Sequence, residues 1–319
     1  MKVLITTMKN EGPFILEWIA YHKELGFDAI VVASNDCQDE SQHLLSALGA
    51  EGFIFHEDNV VPSGQDPQWL ALQKFRKHPI VTAAEWLMVL DADEFLNIHV
   101  GEGRLDNLLA KFPEADVIAI LWRHFGDNGH KVWKTGLVTE AFTKCETGIR
   151  EWNRFYKTIF RNKPAFDHFT AHYPVPRRDV NPADLTYVNA RGERFPPESY
   201  DARTGDRPRL QDYKDFWTWD NAYVNHYAVK TPDLLIMKRF RGHNVPGKGI
   251  TMYAPLAPYA MHFNKNDVED KSILRFSNNV KARIEEMRGR ASVRAAEKTM
   301  ISAFEKLRDR ALAEFPTNA

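Results

Sequence analysis

The run WLMVLDADEF, Trp86–Phe95, concentrates more chemistry than any other stretch of the chain. Its apolar first half reads as a buried strand, and that strand delivers Asp91, Asp93 and Glu94 to its carboxyl end. Strand alternation would put Asp91 and Asp93 on one side and Glu94 on the other. Two carboxylates this close repel each other unless a cation or strong donors share the site. A hard divalent ion, Mn²⁺ or Mg²⁺, would offset that repulsion and could also hold a diphosphate. Sugar transfer from a nucleoside diphosphate needs such help, because the leaving diphosphate gains negative charge. The plain alternative is a strand end with solvated acids.

Other residues could complete such a site. Thr7, Lys9, Asn10 and Glu11 follow the first apolar run. Short polar groups beside a helix start can bind a nucleotide's base, ribose or phosphate. Asn35 and Asp36 follow the second run, where an acid could accept from ribose hydroxyls or a base N–H. His226 lies in the strand-like YVNHYAVKT, residues 223–231. It is either a core histidine among aromatics or, if the chain folds back onto Asp93, a metal ligand. Carboxylate with imidazole suits Mn²⁺ better than Ca²⁺. Lys230, Lys238, Arg239 and Arg241 lead into the Gly-rich stretch 241–249, which could close over a diphosphate. The plain reading of these cations is a charged helix end. Asp127 and Glu140 are the candidates for a base that deprotonates an acceptor hydroxyl. Both also read as ordinary surface acids. His168 and His172 could line the acceptor's place, or simply pack.

The elements that must position these residues are legible in the first third of the chain. Residues 2–7, 28–34, 53–56, 86–90 and 117–122 are apolar, β-rich runs. Between them, Ile15, Trp18, Ile19, His22 and Leu25 recur at helical spacing up to Gly26, and Leu44, Leu45 and Leu48 up to Gly49. A third helix is predicted over 68–84. The order implies an α/β fold with a mostly parallel sheet, helices on both faces, and ligands beyond the carboxyl ends of its strands. Residues 125–225 are richer in aromatics, Arg and Pro, and 177–209 read as a long loop or lid. Val293, Ala296, Met300, Phe304, Leu307 and Ala311 predict a closing helix that packs on the domain.

The chain of 319 residues divides on this pattern into 1–124, a nucleotide-sugar-binding half, 125–260, an acceptor half, and 261–319, a helical extension. Hydrophobic residues at 44% and charged residues at 27% mark a globular protein. A net charge of −1 gives no field that seeks nucleic acid. Two cysteines, Cys37 and Cys145, suit a reducing compartment. The apolar run Val3–Ile5 is too short for a secretory core, and no stretch approaches the roughly 20 apolar residues of a membrane span. The expectation is a cytoplasmic protein, with peripheral contact at the inner membrane face left open.

Several segments together resemble a known family. They are MKNEGPFILEWIAYHKELGFDAIVVASNDCQD, WLMVLDADEFL, WRHFGDNGH and VNHYAVKTPDLLIMKRFRG. In this order, across most of residues 1–245, they resemble the bacterial glycosyltransferase family 2-like proteins, which are related in pattern to the family 92 transferases. The resemblance implies a GT-A fold, a nucleotide-sugar donor, a divalent metal and inversion. It puts Lys9, Asn10 and Glu11 beside the nucleotide, with Asn35 and Asp36. It gives Asp91 and Asp93 the Asp-x-Asp motif, His226 the His-Tyr element, and Lys238 and Arg241 the basic stretch. The family carries a small residue where Asp127 stands, which counts against Asp127 as the base. Residues 177–215 and 265–319 carry none of its motifs.

Two rivals can be set beside this reading. Haloacid-dehalogenase-like phosphatases also carry an Asp-x-Asp strand end. They need a hydroxyl residue where this chain has Phe95, and they place the motif on the first strand, not the fourth. An inactive module that binds a nucleotide sugar or glycan would keep the fold without turnover. The expected function is metal-dependent transfer from a UDP-linked donor to a glycan or lipid-linked hydroxyl.

Overall fold

In the computed structural model, residues 1–151, 154–204, 208–241 and 256–314 are described. Four parallel strands form the first part of the sheet: β1 (Lys2–Met8), β2 (Ala29–Ser34), β3 (Phe55–Asp58) and β4 (Trp86–Val89). All six residues of β2 are buried, as a strand covered on both faces requires. Next in the chain come β5 (Glu94–Ile98), β6 (Val117–His124), the short β7 (Lys144–Cys145) and β8 (Tyr156–Arg161). A small hairpin, β9 (Phe166–Phe169) with β10 (Pro174–Pro176), stands outside the main sheet. β11 (Tyr187–Asn189) and β12 (Ala222–His226) both run parallel to β6, and β13 (Val268–Glu269) pairs with β7. The main sheet has the order β3-β2-β1-β4-β8-β6-β12-β5, with β11 also on β6. It is mostly parallel, and the fold is α/β, as the strand order implied. The exceptions are β8, antiparallel between β4 and β6, and β5, antiparallel to β12.

Each face carries its own core. On one, the helices Ile15–Leu25 and Ala291–Glu314 pack over Leu4, Val32, Met88 and Ile120. On the other, Ala71, Leu72 and Phe75 of helix Pro67–Phe75 pack on Val3, Ile5 and Val89. Gly26 ends the first helix with φ 115°, a left-handed value that suits glycine. The closing helix buries the predicted Val293, Met300, Phe304, Leu307 and Ala311. Phe304 meets Phe14 and Trp133 edge-on at 6.3 and 5.3 Å. Among the described residues, no helix is long and apolar enough to cross a membrane.

Three expectations need correction. The predicted helix over 68–84 is two helices, Pro67–Phe75 and Pro79–Thr82. Pro79 pushes His78 into an extended conformation (ψ 133°) and so interrupts the helix. Of the two readings of 177–209, loop or lid, the lid is the one to correct: the described part is loop with β11 and short 3₁₀ helices, and it is packed down. Tyr187 and Tyr200 are buried and stack at 3.9 Å, and Tyr200 Oη donates to the Leu185 carbonyl at 3.0 Å. Finally, β4 stops at Val89, so Asp91–Asp93 lie in a turn and Glu94 opens β5. Alternation along one strand therefore does not place these acids.

Glu17 shows how the Ile15–Leu25 helix grips a distant segment. Its carboxylate accepts from Val138 N at 2.5 Å, Thr139 N at 3.0 Å and Thr139 Oγ1 at 2.7 Å, which caps the short helix Val138–Ala141. Burial pushes this carboxyl up to about 7, against the lowering effect of those hydrogen bonds. The folded value lies above the unfolded one, so its contribution is complete at acid pH and is lost as pH rises through about 7. Glu17→Gln is expected to flatten that decline by up to about 1.4 kcal/mol per pH unit. Urea unfolding at a series of pH values reads it, and identical pH slopes for both proteins would refute it.

Candidate active site

The turn between β4 and β5 is built around a lysine from β8. Lys157 has no exposed side-chain surface and sets its Nζ 2.9 Å from Asp91 Oδ2 and 3.0 Å from Glu94 Oε2. Gln68, in the helix Pro67–Phe75, donates to the other Asp91 oxygen at 3.0 Å. Asp91 N donates to Glu94 Oε2 at 2.9 Å. The indole N–H of Trp18 donates to the carbonyls of Asp91 and Glu94, at 3.1 and 2.9 Å. Desolvation works to raise the Asp91 carboxyl, but the Lys157 ammonium outweighs it and holds Asp91 low. Glu94 is the reverse case. Burial pushes it up to about 8, and the charges of Asp91 and Asp93 offset much of what Lys157 does to lower it. One ammonium thus serves two carboxylates, and the more buried of the two holds its proton more tightly.

Asp93 belongs to a second group. Lys238 Nζ lies 2.5 Å from Asp93 Oδ2 and donates to the Ala228 carbonyl at 2.7 Å. His226 Nε2 lies 3.8 Å from the same oxygen. The register explains this meeting across the sequence. His226 is paired with Glu94 across β12 and β5, so the last residue of β12 arrives beside the turn. Burial works to raise the Asp93 carboxyl, yet Lys238 and His226 hold it far below the usual range. Burial drives His226 down to about 4, so its imidazole is neutral at pH 7. Its ring packs on Trp122 at 4.4 Å and on His124 at 5.2 Å. Among the described residues its buried Nδ1 has no hydrogen-bond partner.

These atoms permit a test of the metal expectation. A separation of 3.8 Å lets one ion sit about 2.1–2.2 Å from both Asp93 Oδ2 and His226 Nε2. Among the described residues, no group of three or more His, Cys, Asp or Glu could hold a metal. A cation here would therefore fit with two protein ligands, completing its shell from substrate and water. Lys238 would have to release the oxygen it now contacts. Asp91, the other expected ligand, is engaged by Lys157 and Gln68.

The remaining expected residues fall into two sets. Thr7 joins the first group, with its Oγ1 3.4 Å from Gln68 Nε2. The loops after β1 and β2 are tied together. Lys9 lies 3.9 Å from Asp36, Asn35 donates to Asp36 at 2.9 Å, and Asn10 Oδ1 accepts from Gln38 N at 2.7 Å. Asn10 holds this place with φ 55°. Asn10 and Glu11 face Lys230 and Lys238 across a cavity of about 20 Å³, room for a water but not for a nucleotide. Asp127 and Glu140 stand elsewhere. Asp127 accepts from Gly129 N at 2.8 Å, Asn264 Nδ2 at 3.0 Å and Asn266 Nδ2 at 3.1 Å, which fastens its turn to the 264–266 segment. Glu140 pairs with Lys281 at 2.6 Å against the C-terminal helices. The side chain of Arg241 and the Gly-rich stretch after it lie outside the described residues.

Sequence reasoning missed Lys157, Gln68 and the indole of Trp18 as parts of the site. Lys157 had left a signal, a lone charge inside the apolar run Tyr156–Phe160. Such a charge is buried only with partners. Gln68 and Trp18 had left none, because their partners come from distant segments.

No family profile matches the chain. Part of it is similar to a glycosyltransferase family 92 protein of Ricinus communis, 24% identical over 147 residues. The relation is to a glycosyltransferase. The match covers 44% of this chain and spans only 25% of that relative's length. It does not reach the family 2-like proteins that the motifs resemble. Among solved structures, a Bacillus anthracis protein described as a glucose-1-phosphate thymidylyltransferase, in complex with a sucrose, is 10% identical. That similarity covers 50% of this chain and 71% of that one with a TM-score of 0.29, too low to bear on the fold.

Removing a partner from a buried ion group leaves an uncompensated charge. Lys157→Met is expected to cost about 3–5 kcal/mol. Adding Glu94→Gln to that variant should recover part of the loss. A chemical-denaturation double-mutant cycle reads both steps, and full additivity would show that the two residues do not act as a pair.

Proposed function

We propose that this protein is a GT-A glycosyltransferase that moves a sugar from a nucleoside-diphosphate donor, UDP-linked, to a glycan or lipid-linked hydroxyl, with a divalent metal and with inversion. The observation that carries the reading is the meeting of Asp93, His226 and Lys238 at the turn after β4. A neutral imidazole and a carboxylate held charged form a two-ligand seat for Mn²⁺ or Mg²⁺. The bound ion would neutralise charge that develops on the leaving diphosphate.

The chain's own residues supply the rest. Lys157 keeps Asp91 ionised, ready to accept from ribose hydroxyls, and Gln68 holds the carboxylate in place. Lys9, Asn35 and Asp36, at the ends of β1 and β2, would border the nucleotide. Lys238 carries its ammonium on a flexible stem, so it could pass from Asp93 to a diphosphate oxygen. The partial match to a family 92 transferase supports the same reaction class.

A second reading has an observation of its own. Lys157 and Lys238 already balance Asp91 and Asp93 without a metal, as a module that binds nucleotide sugars without turnover would require. Labelled nucleotide sugars, supplied with and without Mn²⁺, separate the two. Metal-dependent transfer or hydrolysis is the expected result, and binding without either would favour the module.

Asp93→Ala is expected to lower donor turnover at least about a hundredfold while the fold is kept. Normal turnover in that variant would remove the metal seat from the mechanism. His226→Ala should raise the Mn²⁺ concentration for half-activity by about tenfold. An unchanged metal titration would return His226 to a packing role.

A further inference from the structure

A second concave region opens beside the turn and is not used by the donor reading. It is a cavity of about 1160 Å³ between the start of helix Pro67–Phe75 and the β9–β10 hairpin. That exceeds the roughly 300–1000 Å³ of ordinary small-molecule sites. Two side chains at its inner end connect it to the turn, one to Asp91 and one to the strand that carries Lys157. Gln68 lines the cavity and also donates to Asp91 at 3.0 Å. His172 lines it too, and its Nδ1 lies 2.9 Å from the carbonyl of Tyr156, the residue before Lys157. With Nδ1 donating to that carbonyl, Nε2 is left as an acceptor.

The walls match carbohydrate chemistry. Trp69 is 42% exposed at the cavity, where its ring meets His168 edge-on at 5.3 Å. An indole face with negative quadrupole attracts the polarised C–H face of a pyranose. Its N–H makes no hydrogen bond among the described residues. Tyr173 adds a second aromatic ring to the wall. The charge argues against a diphosphate as the occupant. Among the described residues that line the cavity are three aspartates and two arginines, a net −1, and Arg177 is spent on Asp179 at 2.9 Å. Such a surface offers hydroxyl groups both acceptors and donors without drawing in a polyanion.

We propose that this cavity binds a neutral oligosaccharide, the acceptor chain, with Trp69 as the stacking platform and with Gln68 and His172 contacting the hydroxyls of its terminal residue. The occupant's role as acceptor rests on the transferase reading, whereas saccharide binding itself does not. A bound chain places its terminal sugar within one side chain of the Asp91 carboxylate, where the donor is to react.

Direct binding tests it on the full chain without donor. Cellotetraose, maltotetraose, mannotetraose and tetra-N-acetylchitotetraose are titrated, followed by calorimetry and tryptophan fluorescence. At least one is expected to bind with a dissociation constant of about 1 mM or lower. Trp69→Ala should weaken that binding at least about tenfold, and Trp69→Phe should restore most of it. UDP with Mn²⁺ should bind the wild type and Trp69→Ala alike, and saturating UDP should not displace the sugar. No binding of any of the four at about 10 mM overturns the proposal. An unchanged Trp69→Ala variant also does, as does competition by UDP, which would give the cavity to the donor. Loss of donor turnover with saccharide binding kept would sink the transferase reading and leave the cavity assignment standing.

Discussion

The ammonium of Lys157 has no exposed surface and two carboxylates within reach, Asp91 at 2.9 Å and Glu94 at 3.0 Å. A lone ammonium taken out of water costs several kcal/mol, and lone carboxylates in the same place would cost as much. Each group is tolerable only because the others are there. The constraint reaches through the fold, because the partners come from different strands. Lys157 sits on β8, the antiparallel strand inserted between β4 and β6. Glu94 opens β5, and Asp91 follows β4. Holding these three together sets where β5 begins, and β5 in turn pairs with β12 and delivers His226.

Two carboxylates two residues apart thus receive different treatment. Asp91 shares a buried lysine with Glu94, and Gln68 and the indole N–H of Trp18 keep its surroundings rigid. Asp93 faces Lys238, from a helix reached only after the whole middle of the chain, and a neutral histidine. The first group is a foundation, with its cation enclosed. The second has a cation on a long flexible stem and an imidazole whose Nδ1 has no hydrogen-bond partner among the described residues, so its partners can be exchanged. Exchange of partners is what a site that binds and releases a charged substrate requires.

The parallel half of the sheet was legible because its signals are local. Apolar runs, helical spacing and the stop at Gly26 each lie within a few residues of what they specify. The turn after β4 was legible as an acid cluster, but its wiring was not. Alternation assumed a strand through Glu94, whereas the strand ends at Val89. The lysines that answer the acids lie 66 and 145 residues away. Nothing local announces such a pair, except that a lysine inside Tyr156–Phe160 had to have one. The segment 177–209 misled for a related reason. Its Pro and Arg content looks like a loop, yet Tyr187 and Tyr200 fasten it into the core on one face of the main sheet.

Charge balance links the fold to the chemistry. In the structure, Lys157 and Lys238 are each already matched by a carboxylate, so the turn holds little spare positive charge. On the proposed function, a nucleoside diphosphate would bring at least two negative charges to the same place. Moving Lys238 onto a phosphate oxygen helps the substrate but strips Asp93 of its partner, which leaves the sum unchanged. A divalent ion held by Asp93 and His226 would resolve both deficits at once, since it would replace the ammonium at the carboxylate and add a charge for the phosphates. On the proposed function, a need for a metal would come from the lysines, not from the acids alone. The Asp91 and Asp93 pair is already neutralised in the protein by itself, so it is an arriving diphosphate that would create the need for more positive charge.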